Sequence, residues 1–255
     1  MRVSPQGIHL VPVTPMVKKL LIVSLSSWFF LVMILQSYFL TQPLIYQWLG
    51  LVPDSLIRNF MLWQPLTYIF VHSTGIFHVA FNMLLLWWLG AELEMRWGGR
   101  MFLTYYLVCG VGAALLYLLS LFIYYLATGN YSPFLSPVVG ASGSVFGLLL
   151  AYGILFGDRV FYLFMLFPMK AKYFVMILAA IELLTVMSSG VGGPVANLAH
   201  LGGLVSGFLF LWFWGRWKSR GRGASRGRQR RGPDLRLVVD NEKGRPQNGG
   251  PKYWN

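Results

Sequence analysis

Gly140-Ala141-Ser142-Gly143-Ser144-Val-Phe-Gly147-Leu-Leu-Leu-Ala-Tyr-Gly-Ile-Leu-Phe156 carries no charge, opens on small residues and turns apolar along its length. That pattern reads as a helix in lipid that begins at or just before Ser142. Within Gly140–Gly143 the single hydroxyl has two readings. Its oxygen can cap free backbone amides at the opening of a helix. Alternatively it is an exposed nucleophile, with backbone N–H groups beside it to hold an oxyanion. Gly and Ser are ordinary in membrane helices, so this stretch alone favours the cap. The placement of the histidines decides between the two.

The surrounding composition agrees with a membrane setting. Of 255 residues, 56% are apolar and only 11% charged, against about 25% charged in soluble domains. The mean hydropathy is +0.58. A chain so poor in charge cannot cover a water-facing surface and reads as an integral membrane protein. The net charge of +13 resembles a nucleic-acid footprint until it is located: 12 of the 21 Lys and Arg follow Trp214. The single cysteine, Cys109, excludes an internal disulfide and a cysteine-rich zinc site. It is expected to be a buried small hydrophobe.

Taken in order, residues 1–19 form a polar or mixed segment ending in Lys18-Lys19. Leu20–Leu40 gives 21 uncharged residues, enough to cross a hydrocarbon core of about 30 Å and too long for a signal-peptide core. Residues 41–71 hold amphipathic pieces such as Leu56-Ile-Arg-Asn-Phe-Met-Leu-Trp63, expected as short helices in the membrane interface. Further spans are expected over Ile76–Ala91, Met101–Ala127, residues 140–156, Tyr173–Met187 and Ala196–Trp214. Val160–Met169 is too short to span and reads as interfacial. The fold class is therefore an all-α polytopic membrane protein, a bundle of six transmembrane helices over 20–214. Residues 215–255 follow as a basic tail, expected to be disordered.

Six spans put both termini on one side. That side then holds 20 of the 21 basic residues, leaving only Arg58 opposite. The positive-inside rule makes the termini cytoplasmic. The Gly/Arg-rich stretch 220–232 is expected to meet anionic lipid heads rather than nucleic acid.

This topology gathers polar groups at one depth. Ser142 opens the fourth span on the external side. His200 lies roughly 6 Å into the sixth. His78 and Asn82 stand one turn apart near the external end of the second. Such groups are costly in a membrane unless they find partners or line a water-filled cavity. Beside Ser142, His200 would act as general base. His78, Asn82 and the Ser142 backbone N–H would stabilise the oxyanion. Gly140 and Gly143 leave room beside the serine. Gly143 and Gly147, like Gly203 and Gly207, are small residues four apart that let membrane helices approach closely. Glu182 is the only acid inside a span. It lies about halfway along the fifth span and is expected to be a packed or protonated carboxyl too deep for His200, leaving a Ser–His dyad.

The elements Gly140-Ala-Ser142-Gly143, Ala199-His200-Leu-Gly-Gly203-Leu-Val-Ser-Gly207 and His78-Val-Ala-Phe-Asn82 together resemble the rhomboid family of intramembrane serine proteases. Trp63-Gln-Pro-Leu-Thr67, His72 and Glu94-Met-Arg96-Trp-Gly98 resemble it too, and the likeness covers about residues 15–214. The resemblance implies a six-helix core, a Ser142–His200 dyad, and an oxyanion site with His78 and Asn82. It also implies cleavage of single-span membrane proteins in or near their transmembrane segment, with no metal or cofactor. It does not account for the Arg-rich tail. Two other readings stand beside it. One is a non-catalytic rhomboid-like protein that binds or escorts client membrane proteins; retention of both Ser142 and His200 argues against it. The other is a small transporter, for which only Glu182 offers the midplane charge.

Overall fold

The structure is a computed structural model that describes residues 11–163, 167–189 and 195–226. The chain divides into two compact units, residues 1–215 and 216–255.

Helix α1, Pro15–Ser26, starts on a proline whose missing N–H costs a first turn nothing. The chain continues in wider π winding from Ser27 to Phe39, where Ser37 Oγ donates to the Val32 carbonyl at 2.9 Å. Helices α2 (Leu44–Leu49), α3 (Pro53–Arg58) and α4 (Gln64–Thr67) are short. Helices α5 (Ile76–Trp97) and α6 (Gly99–Thr128) are joined through Gly98, and α6 ends at Gly129. These two glycines have φ of +81° and +70°, a region where a side chain is strained. Then come α7 (Ser142–Leu155), α8 (Ala171–Ser189) and α9 (Val195–Arg226). Among the described residues, five stretches are long and apolar enough to cross a membrane: Pro15–Phe39, Ile76–Trp97, Gly99–Thr128, Ala171–Ser188 and Asn197–Lys218. Helix α7 is equally apolar but shorter. These are the spans expected from hydropathy, and the fold is an all-α polytopic bundle.

Several boundaries differ from expectation. Helix α1 begins at Pro15, five residues before Leu20. The cause is a remote carboxylate. Glu94 accepts from Thr14 Oγ1 at 2.5 Å, from the Met16 N–H at 2.9 Å and from the Val17 N–H at 2.8 Å. A negative charge on free amides at a helix N-terminus is favourable, and hydropathy does not register it. Helix α9 passes the expected end at Trp214 and runs to Arg226, so the start of the tail is helical. Its Lys, Arg and Ala are good helix formers, and propagation of an existing helix is cheap. Residues 227–255, where most of the lipid-binding tail was expected, lie outside the described residues, as do residues 1–10.

The apolar stretch after α7 is a hairpin. Strands β1 (Val160–Leu163) and β2 (Phe167–Lys170) pair antiparallel, in register from Val160 opposite Lys170 to Leu163 opposite Phe167. Val, Phe and Tyr suit a pleated surface. Asp158 receives Lys172 at 2.8 Å and Lys170 at 3.5 Å. The two ammonium groups hold its carboxyl below the ordinary carboxylate range.

Residues 44–70 are stapled by the Trp63–Thr67 motif. The buried Gln64 accepts from the Val52 N–H at 3.0 Å and donates to the Gln47 carbonyl at 2.8 Å. Thr67 Oγ1 donates to the Leu49 carbonyl at 2.8 Å, and Trp63 Nε1 to that of Trp48 at 2.8 Å. Leu51 bridges Val138, which ties this segment to the chain just before α7. Ile57, Phe60, Leu62 and Trp63 remain exposed.

Helix α7 sits among the other helices with its backbone nearly bare on one side. Tyr105 Oη donates to the Gly147 carbonyl at 2.7 Å, and Ser144 Oγ to that of Tyr106 at 2.8 Å. A side chain on Gly203 would overlap the Gly143 carbonyl, and one on Gly207 would lie 3.3 Å from the Gly147 Cα. Cys109 is buried against Gly147. Truncating the cap that starts α1 tests this framework. Glu94→Ala leaves two helix amides without their acceptor and should cost about 2–3 kcal/mol, with Thr14→Val costing about 1 kcal/mol. Unfolding midpoints in detergent check both values; a wild-type midpoint for Glu94→Ala would remove the cap from the account.

Candidate active site

Ser142 is the first residue of α7, and the backbone before it is set by two hydrogen bonds. The Gly140 N–H donates to the Tyr68 carbonyl at 3.0 Å, and the Ala141 N–H to His72 Nε2 at 3.3 Å. Gly140 has φ +127°, and a Cβ there would fall 2.8 Å from His78 Nε2 and 3.8 Å from Ser142 Oγ. Glycine is thus required at 140 both by conformation and by the closeness of His78. The His78 and Ser142 side chains flank this bare backbone.

His78 and Asn82 stand in the first two turns of α5. Ser73 Oγ lies 2.8 Å from His78 Nδ1, which fixes that ring nitrogen and leaves Nε2 directed to Gly140. The buried Asn82 donates one amide proton to the His78 carbonyl at 2.8 Å. Its second N–H remains available. His72 is fully buried, with its ring 5.5 Å from that of His78. Because Nε2 accepts from Ala141, His72 is held as the neutral Nδ1–H tautomer. Burial, and next the nearby His78, push its pKa down to about 4.

His200 is the sixth residue of α9. Its ring stacks on Phe146 at 4.3 Å between centroids and 10° between planes. Phe146 is one turn beyond Ser142, on the same face of α7, so the stack brings the imidazole to the side of α7 that carries the hydroxyl. No hydrogen bond joins Ser142 Oγ to His200 in this structure, as is common before substrate tightens a site. The other ring nitrogen is occupied: His200 Nδ1 lies 3.0 Å from Glu182 Oε1, and Asn197 Nδ2 donates to Glu182 Oε2 at 2.5 Å. The expectation that Glu182 is too deep to reach His200 is overturned. Counted from their shared end, Glu182 is seven residues inside α8 and His200 five inside α9. That is roughly 10 and 8 Å, a difference a glutamate side chain spans.

Ser142, His200, His78 and Asn82 all line one cavity of about 450 Å³, with Tyr68, Phe77, Phe81 and Phe146 among its apolar walls. The arrangement places a hydroxyl at a helix N-terminus, two imidazoles and a side-chain amide around one space. Among the described residues no three His, Cys, Asp or Glu side chains gather as metal ligands.

The sequence model of the family described as Rhomboid domain matches residues 59–217. The chain belongs to the rhomboid family. With its apolar helices this makes it an integral membrane protein. It is 31% identical over 163 residues to "Rhomboid protease GluP" of Bacillus subtilis (strain 168), an alignment covering 63% of this chain and 27% of that one. It is 34% identical over 157 residues to "RHOMBOID-like protein 1" of Arabidopsis thaliana, covering 61% and 35%. "Rhomboid protease GlpG" of Serratia proteamaculans (strain 568) is 27% identical over 167 residues, covering 66% and 52%. The chain thus spans about a quarter to a half of the length of these relatives.

Three members of this rhomboid site escaped the sequence reading. Ser73 and Phe146 touch the two histidines, and Phe146 carried a signal in its spacing of four from Ser142. Asn197 carried one in its spacing of three from His200. His72 gives the site a pH dependence. Its folded pKa of about 4 lies below the ordinary histidine value of 6.5. The unfolded chain therefore binds the proton first, so the stability due to neutral His72 is complete above pH 6.5 and is lost as pH falls towards 4. Unfolding midpoints should fall over that window in the wild type and fall less in His72→Gln. Identical pH curves for the two proteins would refute the assignment.

Proposed function

We propose that this rhomboid-family chain is an intramembrane serine endopeptidase working by Ser142 and His200. The observation that carries the proposal is the convergence of Ser142, His200, His78 and Asn82, from three helices, on one cavity. Ser142 Oγ attacks the scissile carbonyl carbon as its proton passes to His200 Nε2. The oxygen that becomes negative is held by the Ser142 N–H, by Asn82 and by His78. His200 then returns the proton to the leaving amine, and water releases the acyl group by the same route.

The substrates of this reading are single-span membrane proteins, cut in or near the transmembrane segment. The cavity opens at the ends of α5 and α7 away from the basic turn Glu92–Arg100. With positive residues on the cytoplasmic side, the termini are cytoplasmic and the site faces outward from a bacterial inner membrane. Neutral apolar walls suit an unwound, uncharged stretch of substrate.

In detergent or liposomes, Ser142→Ala and His200→Ala should each cut the cleavage rate of a single-span reporter by at least ~10³-fold with folding intact. Asn82→Ala should reduce kcat by about 10²–10³-fold. A fluorophosphonate should label the wild type and not Ser142→Ala. Undiminished cleavage by purified Ser142→Ala refutes the proposal, and a folded wild type that neither cleaves nor labels favours a non-catalytic client-binding protein.

A further inference from the structure

A carboxylate inside a membrane-spanning helix is expensive, yet Glu182 stands on α8 with its side chain only 13% exposed. Both oxygens are engaged. Oε1 faces His200 Nδ1 at 3.0 Å and Oε2 receives Asn197 Nδ2 at 2.5 Å. Asn197 is three residues before His200, on the same face of α9. The other acids of the spans, Glu92 and Glu94, lie in the last turns of α5, remote from the site, and bind Arg159, Tyr152 and the start of α1.

We infer that Glu182 is the positioning residue of the site, turning the Ser142–His200 pair into a Ser–His–Glu relay whose carboxylate is oriented by Asn197. This rests on the protease reading above and goes beyond it. An imidazole with its proton on Nδ1, donated to Glu182 Oε1, presents a bare Nε2 to the serine. When Nε2 takes the Ser142 proton, the imidazolium forms 3.0 Å from a carboxylate that remains ionised and receives no proton itself. Phe146 fixes the plane of the ring from one face, and Glu182 fixes its rotation within that plane. Asn197 stops the carboxylate from turning away. The relay also spans two helices, so the base is correctly oriented only while α8 lies against α9.

The test is steady-state kinetics of Glu182→Gln on the full chain, with a single-span reporter and with a fluorophosphonate as active-site titrant. Glutamine keeps the shape and removes the charge. Its amide N–H₂ can also face Nδ1 and draw the proton to Nε2. We expect kcat to fall by about 10²–10⁴-fold with KM within about threefold, and serine labelling to slow in parallel. Asn197→Ala keeps the charge and should lower kcat by about 10-fold at unchanged KM. It serves as the decisive variant if Glu182→Gln does not fold. A folded Glu182→Gln with kcat within about threefold of wild type overturns the inference, as does a loss confined to KM, which would assign Glu182 to substrate docking. Either result leaves the protease reading standing if Ser142→Ala is inactive. Cleavage by Ser142→Ala would instead fail the protease reading itself.

Discussion

Helix α9 passes α7 so closely that nothing larger than hydrogen fits at Gly203, which rests on the Gly143 carbonyl. The rest of the site depends on that approach. Three residues before Gly203 on α9 is His200, and one residue before Gly143 on α7 is Ser142. A methyl group at Gly203 would overlap the Gly143 carbonyl and force the two helices apart, whereas one at Gly143 would meet Ala113 of α6. In lipid there is no hydrophobic drive between helices, so close van der Waals contact and interhelical hydrogen bonds hold the pair. Tyr105 on the Gly147 carbonyl and Ser144 on that of Tyr106 are interhelical bonds that tie α6 to α7, within the buried core around it. The glycine seam is therefore the joint from which the geometry of the candidate site hangs.

The polar groups around this joint form two chains that meet at the cavity. One runs from Ser73 to His78 and on to the bare backbone of Gly140. The other runs from Asn197 through Glu182 to His200. Each of His78 and His200 thus has its Nδ1 held by a side chain. His72 stands behind both with a different task. It accepts the Ala141 N–H and sets the turn into α7. It can do so only while neutral, which its burial ensures. Three histidines thus divide by what holds their rings: His72 on backbone, His78 on Ser73 and His200 on Glu182.

Hydropathy made the bundle legible because spanning helices must be long and apolar, and the glycine spacings marked the packed faces. Ser142, His200, His78 and Asn82 could be read as a group because topology fixed their depth. What hydropathy could not show was interaction between distant residues. The start of α1 depends on Glu94, some eighty residues away, and no local window contains that carboxylate. The reach of Glu182 is hidden from sequence for a related reason. Depth along one helix does not determine its contact with His200, which depends on where two antiparallel helices end relative to each other. The β-hairpin at 160–170 was missed because a ten-residue apolar run has no unique period. Phe146 was overlooked because an apolar residue in an apolar helix carries no contrast.

The length of α7 bears on how water and peptide meet in this molecule. Fourteen residues make a helix of about 21 Å, short of a hydrocarbon core of about 30 Å. Its neighbour α6, with thirty residues, exceeds that core. One end of α7 must then lie within the membrane's thickness, and the chain leading to it must run there as irregular backbone. Such backbone survives only when protein covers it or when it lines a wet cavity. Both conditions meet at the Ser142 end. Residues 136–141 are covered by the Leu51–Val138 bridge and by hydrogen bonds from Gly140 and Ala141 to Tyr68 and His72. On the other side they border the cavity that Ser142 shares with both histidines. A full-length α7 would need none of this cover and would carry its first residue out to the membrane surface. The shortness of the helix is what brings a hydroxyl, and room for water, to the depth of a transmembrane segment.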